Sequence, residues 1–347
     1  DKVNHQFIKS NRISLISIYG IKYMLKASLI IEDYLKDNAV FKKNSSLNRD
    51  NTSDRYIKLK QQLKLSDIDI STSDINTVKE SKIIIYVNVP KSINFKKDKL
   101  YVLFLVENVK IWPRNKNQGI ITRFDLVFTW NDLLIDNINF FKFNLSYSQE
   151  NFLFKTDNKR DKLLTAIYSK KYQKNSLYKN RLDLIKFLED KKGFDLYGTD
   201  WDLFRFNLFP FTFFNRFNFL KKIMKPFMFK PVNYRGQIED KLKLMSKYKF
   251  SLAFENNRFP GYITEKLFHP MMAGSIPVYL GAQNIKLHVP ENCYIDYEQF
   301  TTTNEFWDFI INMTEDDVMC YRRNIEKFLR SKNFKPFDSQ SNAIFIS

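Results

Sequence analysis

The chain has 347 residues, 44% of them hydrophobic and 16% aromatic, a balance that excludes the disordered and fibrous classes. Single hydrophobic cores stop growing near about 250–300 residues, so two domains are expected. Fifty-six Lys and Arg against 38 Asp and Glu leave a net charge of +18, which favours polyanionic partners (nucleic acid, acidic lipid or phosphorylated ligands) without choosing among them.

From the amino end, ISLISIYGIKYMLKASLII reads as a strand and a helix, because Lys22 and Lys26 interrupt it well short of the roughly 18 uncharged residues a spanning helix needs. The chain starts at Asp1 and not at Met, which leaves room for a preceding segment. Residues 40–80 read as loops around a helix. Three short apolar runs at 82–90, 99–108 and 123–130, rich in β-branched and aromatic residues, read as buried strands of a parallel sheet. The polar, aperiodic stretch 131–160 is the expected domain crossing, with one domain at 1–150 and a second at 151–347.

LLTAIYS (163–169) reads as a strand, followed by a helix in NRLDLIKFLEDKKG with Leu182, Ile185 and Leu188 at helical spacing and Gly193 as its stop. Then come FDLYG (194–198) as a strand, a helix at 238–248, FSLAFE (250–255) as a strand, a helix opened by ITEKLF and ended by Gly274, and the strand IPVYLG (276–281). Pro270 should kink or shorten the ITEKLF helix. Alternating strand and helix predict an α/β fold of two doubly wound, Rossmann-like units in tandem. Residues 201–230 break the pattern by packing ten Phe with six Lys or Arg. They read either as an extension over extra core or as an interfacial segment on an anionic membrane.

Ligands of open α/β sheets lie beyond the carboxyl ends of the strands, at the amino ends of the following helices. FENNRFPGYITEKL (254–267) falls at such a place: Glu255, Asn256 and Asn257 follow a strand, and Glu265 and Lys266 enter the next helix. Free amide groups and the helix dipole there favour a phosphate. The dipole contributes roughly 0.3–1 kcal/mol. A lysine ammonium about 4 Å from a phosphate gains about 4 kcal/mol at an effective dielectric of 20, so Lys266 should dominate. Glu265 would repel a diphosphate and suits ribose hydroxyls better. In isolation, the same two residues also fit an ordinary helix start with a surface ion pair.

The stretch YKFSLAFENNRFPGYITEKLFHPMMAGSIPVYLGAQNI (248–285) closely resembles the donor-binding signature of the α1,3/4-fucosyltransferases, glycosyltransferase family 10. Phe-Glu-Asn, Tyr-Ile-Thr-Glu-Lys-Leu, Ala-Gly, Ile-Pro-Val and Leu-Gly occur in the family's order and spacing, and weaker similarity, including YRGQIEDK (234–241), runs from about 82 to about 300. The resemblance implies a GT-B enzyme that binds GDP-fucose in its C-terminal domain and transfers fucose with inversion to an oligosaccharide or lipid-linked glycan, without cofactor or essential metal. On the family's pattern Asn256, Tyr262, Glu265 and Lys266 hold GDP. Arg181 matches the donor arginine and Ser169 the preceding strand end, although Lys170 stands where the family has Asn and the gap to Arg181 is longer. The family's base is the Glu of a Glu-Asn pair ending an N-domain strand, here Glu107 and Asn108 in LFLVENVKIWPRN. Inverting transfer needs a carboxylate there to take the acceptor's proton. Two alternative readings stand beside it: the same fold with another GDP-sugar as donor, because the motif mostly grips the nucleotide, and a non-catalytic basic nucleic-acid-binding protein, which the +18 charge would suit.

Two Asp-x-Asp triplets, Asp67-Ile-Asp69 and Asp200-Trp-Asp202, are too short a pattern to diagnose a metal site, and His5, His269 and His288 lack ligand spacing. No module that reads a specific nucleic acid is present. Cys293 and Cys320 suggest neither a disulfide framework nor a CxxC site, so a reducing compartment is expected: the cytoplasm, with peripheral attachment to the inner face of a membrane.

Overall fold

The computed structural model describes residues 24–45, 48, 52–147, 152, 159–170, 176–202 and 231–347. Most of the Phe- and Lys-rich stretch and the first part of the ISLISIYG segment lie outside the described residues. Among the described residues no helix is long and apolar enough to cross a membrane. The chain divides into two compact units, one of 1–129, 136–141 and 339–347, the other of 130–135 and 142–338.

The first unit holds a six-stranded sheet, in the order β2 (Ile68–Thr72), β1 (Leu25–Ile30), β3 (Ile83–Val87), β4 (Leu100–Leu105), β5 (Leu126–Thr129), β6 (Phe140–Lys142). Pairings from β2 through β5 are parallel. IIIYV and LYVLFL are continuous apolar runs because a parallel strand is covered on both faces. Ala27, Ile70, Ile84, Leu103 and Val127 are fully buried within it. Residues 40–80 contain more than the expected helix. After helix α1 (Asp54–Leu65) comes β2, an edge strand held by Asn76, whose Nδ2 donates to the carbonyls of Ala27 and Asp69.

The second unit holds a five-stranded parallel sheet, in the order β11 (Ile295–Asp296), β10 (Ile276–Leu280), β9 (Tyr248–Phe254), β7 (Lys162–Ile167), β8 (Phe194–Tyr197). Between its strands lie helices α2 (Tyr178–Leu188), α3 (Lys241–Met245) and α4 (Glu265–Met272). Helix α2 ends before Gly193, which instead turns the chain into β8 at φ +99°. Helix α3 is shorter than expected, because Tyr248 already opens β9. Helix α4 does stop at Gly274: with φ +70° it lets the amides of Gly274 and Ser275 reach the carbonyls of Met271 and Pro270. Leu267, Phe268 and Met271 on α4 are completely buried, each stabilising by about 1.5–3 kcal/mol. That packing fixes the helix's amino end beside the carboxyl end of β9.

Helices α5 (Thr303–Asn312) and α6 (Glu315–Leu329) follow, the second opened by a reciprocal cap between Thr314 and Asp317. The last helix, α7 (Ser339–Ile346), belongs to the first unit, with Phe345 edge-on to Phe128. The second unit therefore does not run to residue 347, and the boundary between the two falls at 129–142 rather than at 150.

Candidate active site

Glu255 follows β9 and is 0% exposed. Its two oxygens accept from the Thr264 amide and the Thr264 hydroxyl, both at 2.7 Å. Thr264 is the N-cap of α4, so the buried carboxylate fixes where that helix begins. Lys266 Nζ lies 2.8 Å from Glu265 Oε1 and 3.7 Å from Glu255 Oε2, which places one ammonium between two carboxylates. Burial pushes the Glu255 carboxyl up to about 7, against the pull of Lys266. Burial also acts on Glu265, but the Lys266 charge outweighs it and holds that carboxyl well below the usual range. On Lys266, burial opposes the charge, whereas Glu265, Glu255 and Tyr262 together raise the ammonium above its ordinary value.

The close approach at the end of β10 requires glycine. A Cβ on Gly281 would lie 2.4 Å from Tyr279 Oη and 2.5 Å from Glu255 Cγ. The Tyr279 hydroxyl accepts from the Ala282 amide at 2.9 Å and is pushed well above its ordinary range by burial and by Glu255.

Arg181, on the first turn of α2, is buried, with its guanidinium 4.0 Å from the Tyr168 ring and 4.7 Å from the Tyr178 ring. Its Nη2 donates to the carbonyls of Phe254 (2.7 Å) and Glu255 (3.1 Å) and to Asn256 Oδ1 (3.3 Å). The Asn256 carbonyl accepts from the Leu177 amide at the start of α2. Arg181 is thus a strut between α2 and the carboxyl end of β9, and it sets the position of Asn256. Ser169 lies beyond β7 and accepts from the Thr199 hydroxyl at 2.7 Å. Tyr262 is buried, edge-on to Trp130 at 4.8 Å. The structure therefore brings Arg181, Asn256, Glu265 and Lys266 around the β9–α4 junction, with Tyr262 close enough to act on the ammonium. Ser169 stands beside Thr199 at the neighbouring strand end.

In the first unit, Glu107 and Asn108 follow β4. Asn88, itself in the left-handed region at φ 64°, accepts from the amides of Val106 and Glu107 with its Oδ1. Asn115 Nδ2 donates to the Glu107 carbonyl at 2.8 Å. Asn108 is 0% exposed and its Oδ1 accepts from the amides of Lys110 and Ile111, so it shapes the turn behind Glu107 and presents no surface. Burial first, then the charges of Glu32 and Glu107, raise the Tyr34 hydroxyl above its ordinary value.

Sequence reasoning gave Glu255 no task, although FENN held the signal of an acid entering a polar loop. Among the described residues no group of three or more His, Cys, Asp or Glu could hold a metal ion. Asp67 and Asp200 both sit in turns with positive φ.

Residues 157–326 match the C-terminal domain of glycosyltransferase family 10 (fucosyltransferase), and the β9–α4 junction lies inside that match. Over these residues the chain is similar to glycosyltransferase family 10. The chain is 40% identical over 74 residues to an α-(1,4)-fucosyltransferase of Arabidopsis thaliana, covering 21% of this chain and 18% of that one. It is 50% identical over 54 residues to GDP-fucose protein O-fucosyltransferase 3 of Danio rerio, covering 16% and 12%. The chain thus spans less than a fifth of the length of either relative. In structure the whole chain is similar to an α1,3-fucosyltransferase solved with GDP (TM-score 0.53, 13% identity, 95% of this chain and 92% of that one). It is also similar to Anabaena HepE solved with UDP-glucose (TM-score 0.54, 12% identity, 93% and 98%). At such identities the likeness concerns the fold, and the fold is GT-B.

Proposed function

We propose that the chain is an inverting fucosyltransferase that moves fucose from GDP-fucose to a hydroxyl of a glycan acceptor in an α1,3/4 linkage. The observation that carries this reading is the Glu255–Thr264–Lys266–Glu265 arrangement at the start of α4, inside the family 10 match. Lys266 is the only cation of that group and meets the diphosphate. Glu265 turns to the ribose hydroxyls and gives up its contact with the ammonium. Tyr262 and Asn256, the latter set by Arg181, complete the nucleotide grip beside Ser169.

In the reaction the acceptor oxygen attacks the anomeric carbon and its proton passes to the Glu107 carboxylate. The bond from that carbon to the phosphate oxygen breaks, and its electron pair leaves with GDP. Lys266 and the amino-terminal end of the α4 dipole stabilise the charge that develops on the leaving group. HepE was solved with a different nucleotide sugar on the same fold, so the sugar and base have to be tested directly. The test is transfer from labelled GDP-fucose and GDP-mannose to an acceptor array. Preference for GDP-fucose with one acceptor class supports the reading, and preference for GDP-mannose overturns it.

A further inference from the structure

The turn that carries Tyr262 rests on the segment where the chain passes between its two units. Gly261 adopts φ +78°, and a Cβ there would meet the Trp130 carbonyl at 2.3 Å and Asp132 Oδ2 and Lys142 Nζ at 2.7 Å each. Trp130 contacts both flanking rings, Phe259 at 6.0 Å and Tyr262 at 4.8 Å. The Gly261 amide donates to Asn284 Oδ1 at 2.8 Å, and Asn284 Nδ2 donates to Asp132 Oδ2 at 2.6 Å. His288 Nε2 lies 2.8 Å from that same oxygen, while Lys142 Nζ donates to Asp132 Oδ1 and to the Trp130 carbonyl. Burial pushes the Asp132 carboxyl up, but the bonds from His288, Lys142 and Asn284 outweigh it and hold the group well below its usual range. Four side chains from distant parts of the sequence thus direct their polar atoms to one half-buried point, and that point is the underside of the Pro260–Gly261–Tyr262 turn.

We propose, on the donor-site reading given above, that Asn284 and Asp132 are positioning residues for the nucleotide: Asp132 orients the Asn284 amide, and Asn284 holds the Gly261 turn so that Tyr262 faces the donor. Neither residue touches the reacting atoms. Their effect therefore falls on donor binding and not on the chemical step. Residues 129–142 also contain three of the four passages between the units, so the donor loop and these connections share one anchor.

The test uses the full chain, with GDP affinity measured by titration calorimetry and kcat and KM for GDP-fucose measured separately. Asn284→Ala removes the acceptor of the Gly261 amide and leaves Asp132 bonded to Lys142 and His288. The expected result is a rise of about tenfold in GDP Kd and in KM, equivalent to about 1.4 kcal/mol, with kcat within about threefold of the parent. A merely structural role would reduce the active fraction, and hence kcat, at unchanged KM and Kd; that result overturns the proposal. Asn284→Ser, a smaller change, gives the same comparison if the alanine variant does not fold. Lys266→Ala separates the two levels. Weakened GDP binding in Lys266→Ala with normal binding in Asn284→Ala removes the positioning role alone. Unchanged GDP binding in Lys266→Ala removes the donor site, and the positioning role with it.

Discussion

Replacing Glu255 by Gln should change how stability depends on pH. Glu255 is fully buried, and its carboxyl is raised from 4.5 to about 7. Below about pH 4.5 the group is protonated in both folded and unfolded chains, so its contribution is fully present. Between there and about pH 7 the folded chain keeps a proton that the unfolded chain has released, so stability falls as pH rises. At about 1.4 kcal/mol per pH unit, the loss approaches about 3 kcal/mol once the pH has passed through 7. Gln has the shape of the protonated acid and no titration, so the variant lacks this slope. The assay is urea unfolding of both proteins at several values from pH 4.5 to 8. The stability of the parent minus that of Glu255→Gln should fall across the range by about 2–3 kcal/mol. A difference that stays flat, or that rises with pH, would refute the assignment of Glu255 as a buried carboxyl ionising near neutrality.

Gly281→Ala drives a methyl group into Tyr279 and Glu255 and should lower stability by about 1–3 kcal/mol, read as a drop in Tm. Glu107→Gln should reduce transfer by about 10²–10⁴-fold while GDP affinity stays within about twofold, and unchanged turnover would remove Glu107 from the mechanism. Arg181→Met removes three hydrogen bonds at the β9 end along with the buried charge. It should weaken GDP binding and lower Tm together, because Asn256 loses its anchor. Asp132→Asn leaves the Lys142 ammonium without its counter-charge and should lower Tm, with partial recovery in the double variant that also carries Lys142→Met.

The strands that form the two sheet centres were legible because burial on both faces makes each one an unbroken apolar run, as in IIIYV and FSLAF. IDIST was not: β2 is an edge strand, and its half-exposed Asp69, which bonds Asn76 and pairs with Lys60, breaks the apolar run that an inner strand would show. The return of α7 to the first unit depends on packing against α1 and Phe128, contacts of high sequence separation that leave no local signature. At the candidate site, the residues of FENNRFPGYITEKL were readable because a strand end, a Pro-Gly turn and a helix cap follow one another within a few positions. The role of Glu255 depends on its complete burial, which the neighbouring Asn256 and Asn257 disguise. Asp132, Lys142, Asn284 and His288 are too far apart along the chain to suggest a cluster, and only the fold brings them to the Gly261 turn.

Hydrogen exchange of the full chain with and without GDP probes where the nucleotide sits. Ordering of the phosphate-binding amides should slow exchange in residues 256–267, with smaller protection at the start of α2 around Arg181. Protection confined to other segments, with 256–267 exchanging as in the free protein, would contradict the assignment of the β9–α4 junction as the donor site.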